Sequence, residues 1–280
     1  MKLNFPLYTA AVFVALLSLS ACKKDRTSDN TPTTQEEDTQ YADDMAKADQ
    51  AFDELDGIAD QADALGNVAL KGGSNPLGGC ATVTKDTVGT PDSLTIDFGS
   101  TNCLCKDGRY RRGKIIITQT GHYKDSAFNR TFGFSNYYVN NNQVYGSKSV
   151  TNMGHNSAGH MFYSIVVDGH VVLNSTNDTI SHIANRTRTF TAGENTPQLS
   201  DDEYDITGSG SHTKATGKTY AMNITSPLHV ALNCNWIKSG SISILPQGAT
   251  FPRVLDYGNG NCDDSATITV NNKSKTIILK

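Results

Sequence analysis

Residues 114–120 read KIIITQT, in which three consecutive isoleucines are followed by residues that favour an extended chain. β-Branched side chains pack well on a pleated sheet and lose side-chain freedom in a helix. Similar short runs recur from about residue 80 onward, separated by Gly, Asn and Asp, at 137–144, 161–167, 171–176, 220–225, 241–245 and 266–270. The pattern predicts a mainly β protein with an antiparallel sheet of the meander, sandwich or half-barrel type.

The stretch VVDGHVV (166–172) places an Asp-Gly pair between two pairs of valines. Asp-Gly suits a two-residue turn in which both φ angles are positive, so we expect a β-hairpin with Asp168 and Gly169 at its tip. The sequence contains no G-x-G-x-x-G, no P-loop and no alternation of strands with helices. We therefore expect neither a nucleotide-binding fold nor a nucleic-acid partner.

The two ends of the β-rich region resemble each other. Each contains Asp, an aromatic residue, Gly, two further residues, Asn and Cys, at 97–103 and at 256–262. The shared Asp and Asn are typical of turns in which a side chain binds a nearby backbone N–H. The second copy is rich enough in oxygen atoms to suggest calcium. The first copy lacks most of those residues, so we expect turns and no metal.

Upstream, residues 41–65 have the period of a helix. Apolar residues recur at alternating spacings of four and three and form one stripe: Tyr41, Met45, Ala48, Phe52, Leu55, Ala59, Ala62 and Leu65. Acidic residues occupy the other faces, with Lys47 as the one base. Residues 23–70 hold 4 basic and 13 acidic residues, whereas residues 71–280 hold 19 basic and 15 acidic.

This charge division predicts that the acidic amphipathic helix docks on a basic face of the β-domain and that the protein is a monomer. Two alternatives remain open. The stripe could be a coiled-coil seam, although three alanines and fewer than four heptads make a weak one. The acidic segment could also hold the domain away from an anionic cell surface.

At the N-terminus, Lys2 precedes the apolar run LYTAAVFVALLSL (7–19), which has the length of a signal-peptide core and is too short to span a bilayer. The residues Leu19-Ser20-Ala21-Cys22 resemble the lipobox of bacterial lipoproteins. The resemblance implies that the Cys22 thiol receives a diacylglyceryl group, that the chain is cut before Cys22, and that the new amine is acylated, as with palmitate. The following KKD (23–25) is similar to lipoproteins of Bacteroidota. That likeness implies the outer membrane, with the cell surface favoured over the periplasmic face.

These observations divide the chain into a signal peptide (1–21), a lipidated flexible tether (22–40), an acidic amphipathic helix (41–70) and an antiparallel β-domain (71–280). The tether is assigned because 23–40 contain no aliphatic or aromatic residue and cannot bury apolar surface. No later segment is apolar enough for a transmembrane helix.

Export places the five remaining cysteines in an oxidising compartment, where cysteines are usually paired. Because equivalent copies of the repeat should be bridged equivalently, we expect disulfides between Cys80 and Cys103 and between Cys234 and Cys262. Cys105 is left over. It could exchange with Cys103 or remain a free, buried thiol.

Residue types that catalyse reactions or bind metals lack a recognised spacing. The closest histidine pair, His155 and His160, lies in a Gly- and Asn-rich loop, and no H-E-x-x-H or G-x-S-x-G is present. The acidic run 201–205 is typical of a solvated face. We predict no catalytic residue, no metal site and no cofactor.

Basic residues cluster at 106–114, leading into KIIITQT. They could bind phosphate or uronate groups of a surface polymer. They could instead protect a sheet edge from pairing with other chains, or receive the acidic helix. The two structural interpretations are favoured.

Five triplets of Asp, Ser or Thr, and an apolar residue resemble the O-glycosylation motif of exported Bacteroidota proteins. Their acceptor residues are Thr87, Ser93, Ser126, Thr179 and Ser265. The alternative is that these Asp-Ser and Asp-Thr pairs form turns at the starts of strands.

Together these features predict a non-catalytic, lipid-anchored cell-envelope protein with a binding or structural role. Its expected partners are the membrane and a cell-surface polysaccharide or lipid. One alternative is a carrier of lipid or another apolar ligand, with the helix as a lid on an open half-barrel lined by Phe132, Phe134, Tyr138, Phe162 and Val166. The other is a surface glycan hydrolase that uses two carboxylates distant in sequence.

Overall fold

The computed structural model describes residues 35–65 and 77–279, apart from 78, 90, 197, 199 and 235. These residues form an N-terminal helix and one antiparallel sheet of 14 strands that is not closed. The predicted fold class, mainly β with one acidic amphipathic helix, is confirmed. Cys22 and residues 66–70 lie outside the described residues. Neither helical segment described here combines the length and apolar character needed to cross a bilayer.

The helix consists of α1 (Gln35–Asp53) and α2 (Leu55–Leu65). The strands are β1 (Thr82–Asp86), β2 (Asp92–Asp97), β3 (Cys103–Leu104), β4 (Tyr110–Thr120), β5 (Asn129–Val139), β6 (Asn142–His155), β7 (Met161–Val172), β8 (Thr179–Ala192), β9 (Glu203–Lys214), β10 (Thr219–Ala231), β11 (Ser239–Pro246), β12 (Arg253–Asn259), β13 (Ser265–Val270) and β14 (Lys273–Ile278).

The sheet is a meander in which successive strands pair, except that β2 and the short β3 both pair with β4. The strand β4 contains KIIITQT and has partners on both sides, because its other neighbour is β5. The prediction that the basic run 106–114 protects a sheet edge is therefore wrong for its β4 residues. Pairing along the whole strand leaves no open edge there to protect.

The segments α1 and α2 form one helix with a local irregularity at Glu54. The backbone N–H of Glu54 still donates to Gln50, and that of Ile58 donates to Glu54, both at 3.1 Å. The helix begins at Gln35, within the stretch assigned from sequence to the tether. Apolar periodicity marks the part of a helix that docks, and backbone hydrogen bonding can extend a helix beyond that part.

The apolar stripe of the helix is buried against one face of the sheet, here called the helix-bearing face. Every described member from Tyr41 to Ala62 is at most 3% exposed, and Phe52 and Leu55 are fully buried. Tyr41 stacks on Tyr220 of β10 at one end, and Asp63 pairs with Lys85 of β1 at the other. The predicted docking of the helix on the β-domain is confirmed. The helix runs across the strands, from β10 to β1.

Two local predictions about turns are wrong. Asp168 and Gly169 lie inside the continuous strand β7 and not at a hairpin tip. The run 137–144 is not one strand, since it turns at Asn140 and Asn141, which have φ angles of 48° and 66°. Asn tolerates the left-handed conformation that this two-residue turn requires.

The role of Gly169 is to make room for the helix. A Cβ atom at this position would overlap the Phe52 ring, which lies directly over the glycine. The glycine in VVDGHVV therefore reflects a close approach of helix to sheet and not a turn.

The two ends of the β-region match in structure as in sequence. Disulfides join Cys80 to Cys103 and Cys234 to Cys262, as predicted. In each copy the Asp side chain accepts a hydrogen bond from the backbone N–H of the Gly two residues later, at 2.8 Å. Cys105 is a free, buried thiol, which was one of the two alternatives.

We expect Gly169→Ala to destabilise the protein by about 1–3 kcal/mol, because the added methyl group collides with the Phe52 ring. Urea unfolding measures the change. Gly133→Ala is the matched control in β5: its nearest atom would be the Ile116 carbonyl oxygen at 3.9 Å, so no collision is expected. Adding Phe52→Leu to Gly169→Ala should recover part of the loss. Equal stability of the Gly169 and Gly133 variants would contradict the close approach.

Candidate functional site

Charged groups line the contact between the helix and the helix-bearing face. Sheet residues and the adjoining loop supply cations that reach helix carboxylates: Lys85, Arg109, Arg111, Arg130, Lys148, Arg186, Arg188 and Lys214. Their partners on the helix are Asp44, Asp49, Asp53, Glu54, Asp56, Asp60 and Asp63. The match that the charge division predicts, acidic helix against basic face, is confirmed.

Lys148 lies at the centre of this contact, and its side chain is 2% exposed. Its ammonium group donates to the Phe52 carbonyl at 2.8 Å and to Asp56 Oδ2 at 3.1 Å. Arg188 donates to the same Asp56 oxygen at 3.0 Å. Burial raises the pKa of Asp56, but Lys148, Arg188 and Arg130 outweigh it and hold this pKa below its usual value. The ionised carboxylate is thus part of the folded structure.

Glu54 joins the helix to the basic run before KIIITQT. Its carboxylate binds Arg109 and lies 3.0 Å from Arg111. Arg111 also donates two hydrogen bonds to Asp107, at 2.9 and 2.6 Å. Burial raises the pKa of Glu54 despite these cations. Of the interpretations of the run 106–114, reception of the acidic helix is confirmed for Arg109 and Arg111.

A second pair of contacts lies toward the far end of the helix. Arg130 is 1% exposed and donates to Asp60 at 2.6 Å and to Gln119 at 3.0 Å. Lys85 of the first strand binds Asp63 at 2.6 Å. The charged groups therefore follow the helix for most of its length.

Two histidines and one carboxylate meet where the helix crosses β8 and β9. His182 and His212 are directly paired across these strands, and both are fully buried. Their rings stack, with centroids 4.5 Å apart and planes inclined by 16°. Each Nε2 lies 3.4 Å from Asp49 Oδ1, and none of the four ring nitrogens has a hydrogen-bond partner. Burial lowers the pKa of His182 to about 3, so this imidazole is neutral.

The sequence prediction of no metal site missed this group because it compared histidines close together in the chain. Asp49, His182 and His212 come from three separate elements and meet through strand register and helix docking. The only sequence signal is that both histidines fall in strand-like runs, at positions that face the helix once β8 and β9 pair. The histidines that the sequence singled out lie elsewhere: His155 contacts Glu194 at 2.7 Å, and His160 is exposed.

The acidic run 201–205 is not uniformly solvated, contrary to expectation. Asp202 is fully buried, accepts a hydrogen bond from the Tyr204 hydroxyl at 3.0 Å and lies 3.6 Å from Lys124. Burial raises the pKa of this carboxyl. Sequence alone could not distinguish it from its neighbours, because Asp202 lies just before β9 and only the fold shows that its side chain points inward.

A polar depression of about 480 Å³ lies on the opposite, outer face of the sheet. The Arg112 guanidinium stacks 3.7 Å above the centre of the Tyr138 ring and donates to Asn102 and Asn141. Lys114 borders the same depression and is 2.8 Å from Asp97. The glycine bulge at Gly113 separates these outward side chains from the inward Arg111.

The predicted glycosylation acceptors all lie where the surface is accessible. Thr87 and Ser126 are exposed, and Ser93, Thr179 and Ser265 are half-buried near the starts of strands. The alternative role of turn formation has direct support at two triplets, although Asp86 lies at the end of β1 and not at the start of a strand as predicted. Asp86 accepts a hydrogen bond from the backbone N–H of Val88, and Asp125 accepts one from that of His122. The predicted lipidation residue, Cys22, lies outside the described residues.

Comparison with known proteins finds no matching protein family, no similar curated protein and no similar solved structure.

We expect Asp56→Asn to destabilise the protein by about 3–5 kcal/mol, because two buried cations lose their shared carboxylate. Asp53→Asn is the control, since Asp53 is half-exposed where it meets Arg186 and should cost less than about 1 kcal/mol. Urea unfolding measures both changes. The folded-state pKa of Asp56 is lowered, so its contribution is present above the usual value of 3.8 and lost as pH falls through the folded pKa. The gap between wild type and Asp56→Asn should therefore shrink only below about pH 4.

Equal losses for the Asp53 and Asp56 variants would contradict a central role for the buried carboxylate. So would a gap that is unchanged at low pH.

Proposed function

We propose that this chain is a non-catalytic, lipid-anchored protein of the bacterial cell envelope. In this proposal Cys22 carries the lipid at the outer membrane. The sheet then presents its outer face to a polysaccharide or lipid of the cell surface. The observation that carries the proposal is that the protein's own helix covers the helix-bearing face, which leaves the outer face available to a partner.

The depression around Arg112 has the chemistry expected for anionic sugar groups. A guanidinium can bind a carboxylate with two hydrogen bonds, and because Lys114 at the rim is paired with Asp97, Arg112 supplies the net positive charge of the depression. The Tyr138 ring holds Arg112 in place from below and gives an apolar surface beside the charge. Asn102 and Asn141 supply neutral hydrogen-bonding groups. These features favour an acidic polysaccharide over an apolar lipid.

The carrier alternative needs an empty apolar lining on the helix-bearing face. In the described residues that face is filled by the helix stripe and bears buried cations such as Arg130 and Lys148. Of the five lining residues expected from sequence, Phe132 and Phe134 face the helix. The other three, Tyr138, Phe162 and Val166, alternate to the outer face. A cation-lined, helix-filled face is poorly suited to an apolar ligand.

The hydrolase alternative needs two carboxylates that converge in one cleft. The depression around Arg112 contains the single carboxylate Asp97, which is bound to Lys114. Among its described lining residues, a second depression beside Phe190 contains one carboxylate, Glu194, which is bound to His155. Neither offers the paired acid and base of a glycosidase.

The lipid anchor is tested by Cys22→Ser. Because the thiol is the proposed lipid acceptor, the variant should leave the membrane fraction and accumulate as an unprocessed precursor. Membrane fractionation and mass spectrometry of the N-terminus measure these outcomes. Cys105→Ser, which removes a thiol that is free in the fold, should fractionate as wild type does. An unlipidated wild-type N-terminus would refute the anchor.

The binding role is tested with polygalacturonate as the acidic probe and dextran as the neutral one. We expect Arg112→Gln to weaken polygalacturonate binding at least about tenfold, equivalent to about 1.4 kcal/mol. Tyr138→Ala should weaken it as well, because the guanidinium loses its support. Tyr145→Ala is the control, since this exposed tyrosine stacks on His170 and does not line the depression. Binding that is absent, or unchanged in the Arg112 variant, would reject this partner.

A further inference from the structure

The strongest unexplained feature of the fold is the pair of buried histidines beside Asp49. A buried polar atom without a hydrogen-bond partner loses its hydration without compensation, so native proteins rarely leave one unsatisfied. Here four such nitrogens lie within two adjoining side chains that are both fully buried. A Leu or Phe would fill the same space without that cost. The two buried histidines therefore indicate that a ligand binds to their ring nitrogens.

The distances match those between ligands of one small metal ion. Bonds of 2.0–2.1 Å to a tetrahedral zinc ion place its ligand atoms about 3.3–3.4 Å from one another. Each histidine Nε2 is 3.4 Å from Asp49 Oδ1, and suitable ligand atoms of all three residues lie within 4.8 Å of one another. A direct hydrogen bond would be shorter, at about 2.7–3.2 Å. The two distances from Nε2 to the Asp49 carboxylate therefore fit ligation of one zinc ion better than they fit direct hydrogen bonds.

We propose that Asp49, His182 and His212 bind one divalent transition-metal ion, with zinc as the expected ion. Two imidazoles and one carboxylate form a donor set that zinc accepts, and they leave one coordination position open. Asp49 is 21% exposed, so water can reach that position from its side. The ion satisfies two of the four unpartnered nitrogens.

Metal binding requires the two stacked histidine rings to change their orientation. Nearly parallel rings have nearly parallel lone pairs, so both Nε2 atoms cannot point at one ion in this arrangement. Binding therefore turns the rings about their Cβ–Cγ bonds until the lone pairs converge. The bound ion links helix α1 directly to strands β8 and β9, and so strengthens the docking of the helix.

Arg186 sets the strength of the site. Its Nη2 atom donates to the same Asp49 oxygen at 3.1 Å, and its Nη1 atom donates to Asp53 at 3.0 and 3.1 Å. The guanidinium competes with the metal for Asp49 and repels it, yet it can keep Asp53 when the metal binds. Removing this charge should therefore tighten metal binding, an effect that a purely structural role for the cluster does not predict.

The test uses the full-length protein stripped of metal with a chelator and then titrated with zinc sulfate. We expect one zinc per chain by elemental analysis. At a free zinc concentration about a hundred times Kd, we expect Tm to rise by about 5–10 °C. Cobalt in place of zinc should give the visible absorption of a four-coordinate site.

His182→Leu and His212→Leu should each abolish the tight zinc site. Because they remove unpartnered buried nitrogens, both should fold without metal and melt no lower than the metal-free wild type. His170→Leu, which alters the outer-face histidine that stacks on Tyr145, is the control and should retain one zinc. Arg186→Gln should lower the zinc Kd by at least about tenfold, judged by competition with a chromophoric chelator.

Three outcomes would overturn the proposal. The first is a folded wild type that binds no zinc, cobalt or copper. The second is zinc bound equally by the His182 and His170 variants. The third is zinc affinity that is unchanged or weaker in a folded Arg186→Gln protein.

Discussion

The packing of the helix on the sheet depends on the contact between Lys148 and the helix. A lysine at the centre of a 14-stranded sheet can be buried only if another element brings it acceptors. The helix brings two, the Phe52 carbonyl and the Asp56 carboxylate. The sheet therefore cannot form this core alone, because without the helix its central cation and the apolar residues around it would face water. Helix and sheet form one cooperative unit.

Shape and charge act together at this contact. The Phe52 ring fits only over a residue without a Cβ, so Gly169 fixes where the helix crosses β7. The ion pairs on either side of Phe52, from Asp44 to Asp63, set the position of the helix along its own axis. A helix shifted by one residue would bring Asp56 and Phe52 to the wrong side. Buried ion pairs contribute little net stability compared with apolar contacts, but they penalise misplacement severely. We infer that the charged groups specify the docking and the apolar stripe drives it.

The fold class and the helix were predictable because each rests on local periodicity. The stripe from Tyr41 to Ala62 requires only a 3.6-residue repeat, and the opposite charges of the two regions indicate where such a helix would bind. The disulfides followed from the similarity of two segments of the chain. The turn at Asn140 and Asn141 was missed although three consecutive asparagines, which favour turns, interrupt the apolar residues there. Asp168 and Gly169 were mistaken for a turn because a glycine needed for space and one needed for positive φ look the same in sequence.

The candidate site was less predictable, for a related reason. Lys148 and His182 occupy strand positions where sequence pattern favours an apolar residue, and only strand register and helix position show their partners. Period-two alternation tells which residues share a face of one strand, but it does not tell which strands adjoin. This alternation tells even less about which carboxylate of a helix distant in sequence will contact the strand. Functional groups that are assembled across elements are thus the last to be recognised from sequence.

If the chain is anchored at Cys22 as proposed, the position of the helix determines how a pulling force acts on the interface between helix and sheet. The helix is the described element nearest in sequence to Cys22, so under the proposed anchor a pull between membrane and sheet would enter through α1. Because the helix lies across the strands, such a pull acts on several ion pairs and on the Phe52 contact together, and not on one strand edge. Half-exposed pairs such as Asp53 with Arg186 would weaken with salt, whereas buried pairs would be screened much less. The buried groups, and a metal ion at Asp49 if it is bound, would then carry the load under all ionic conditions.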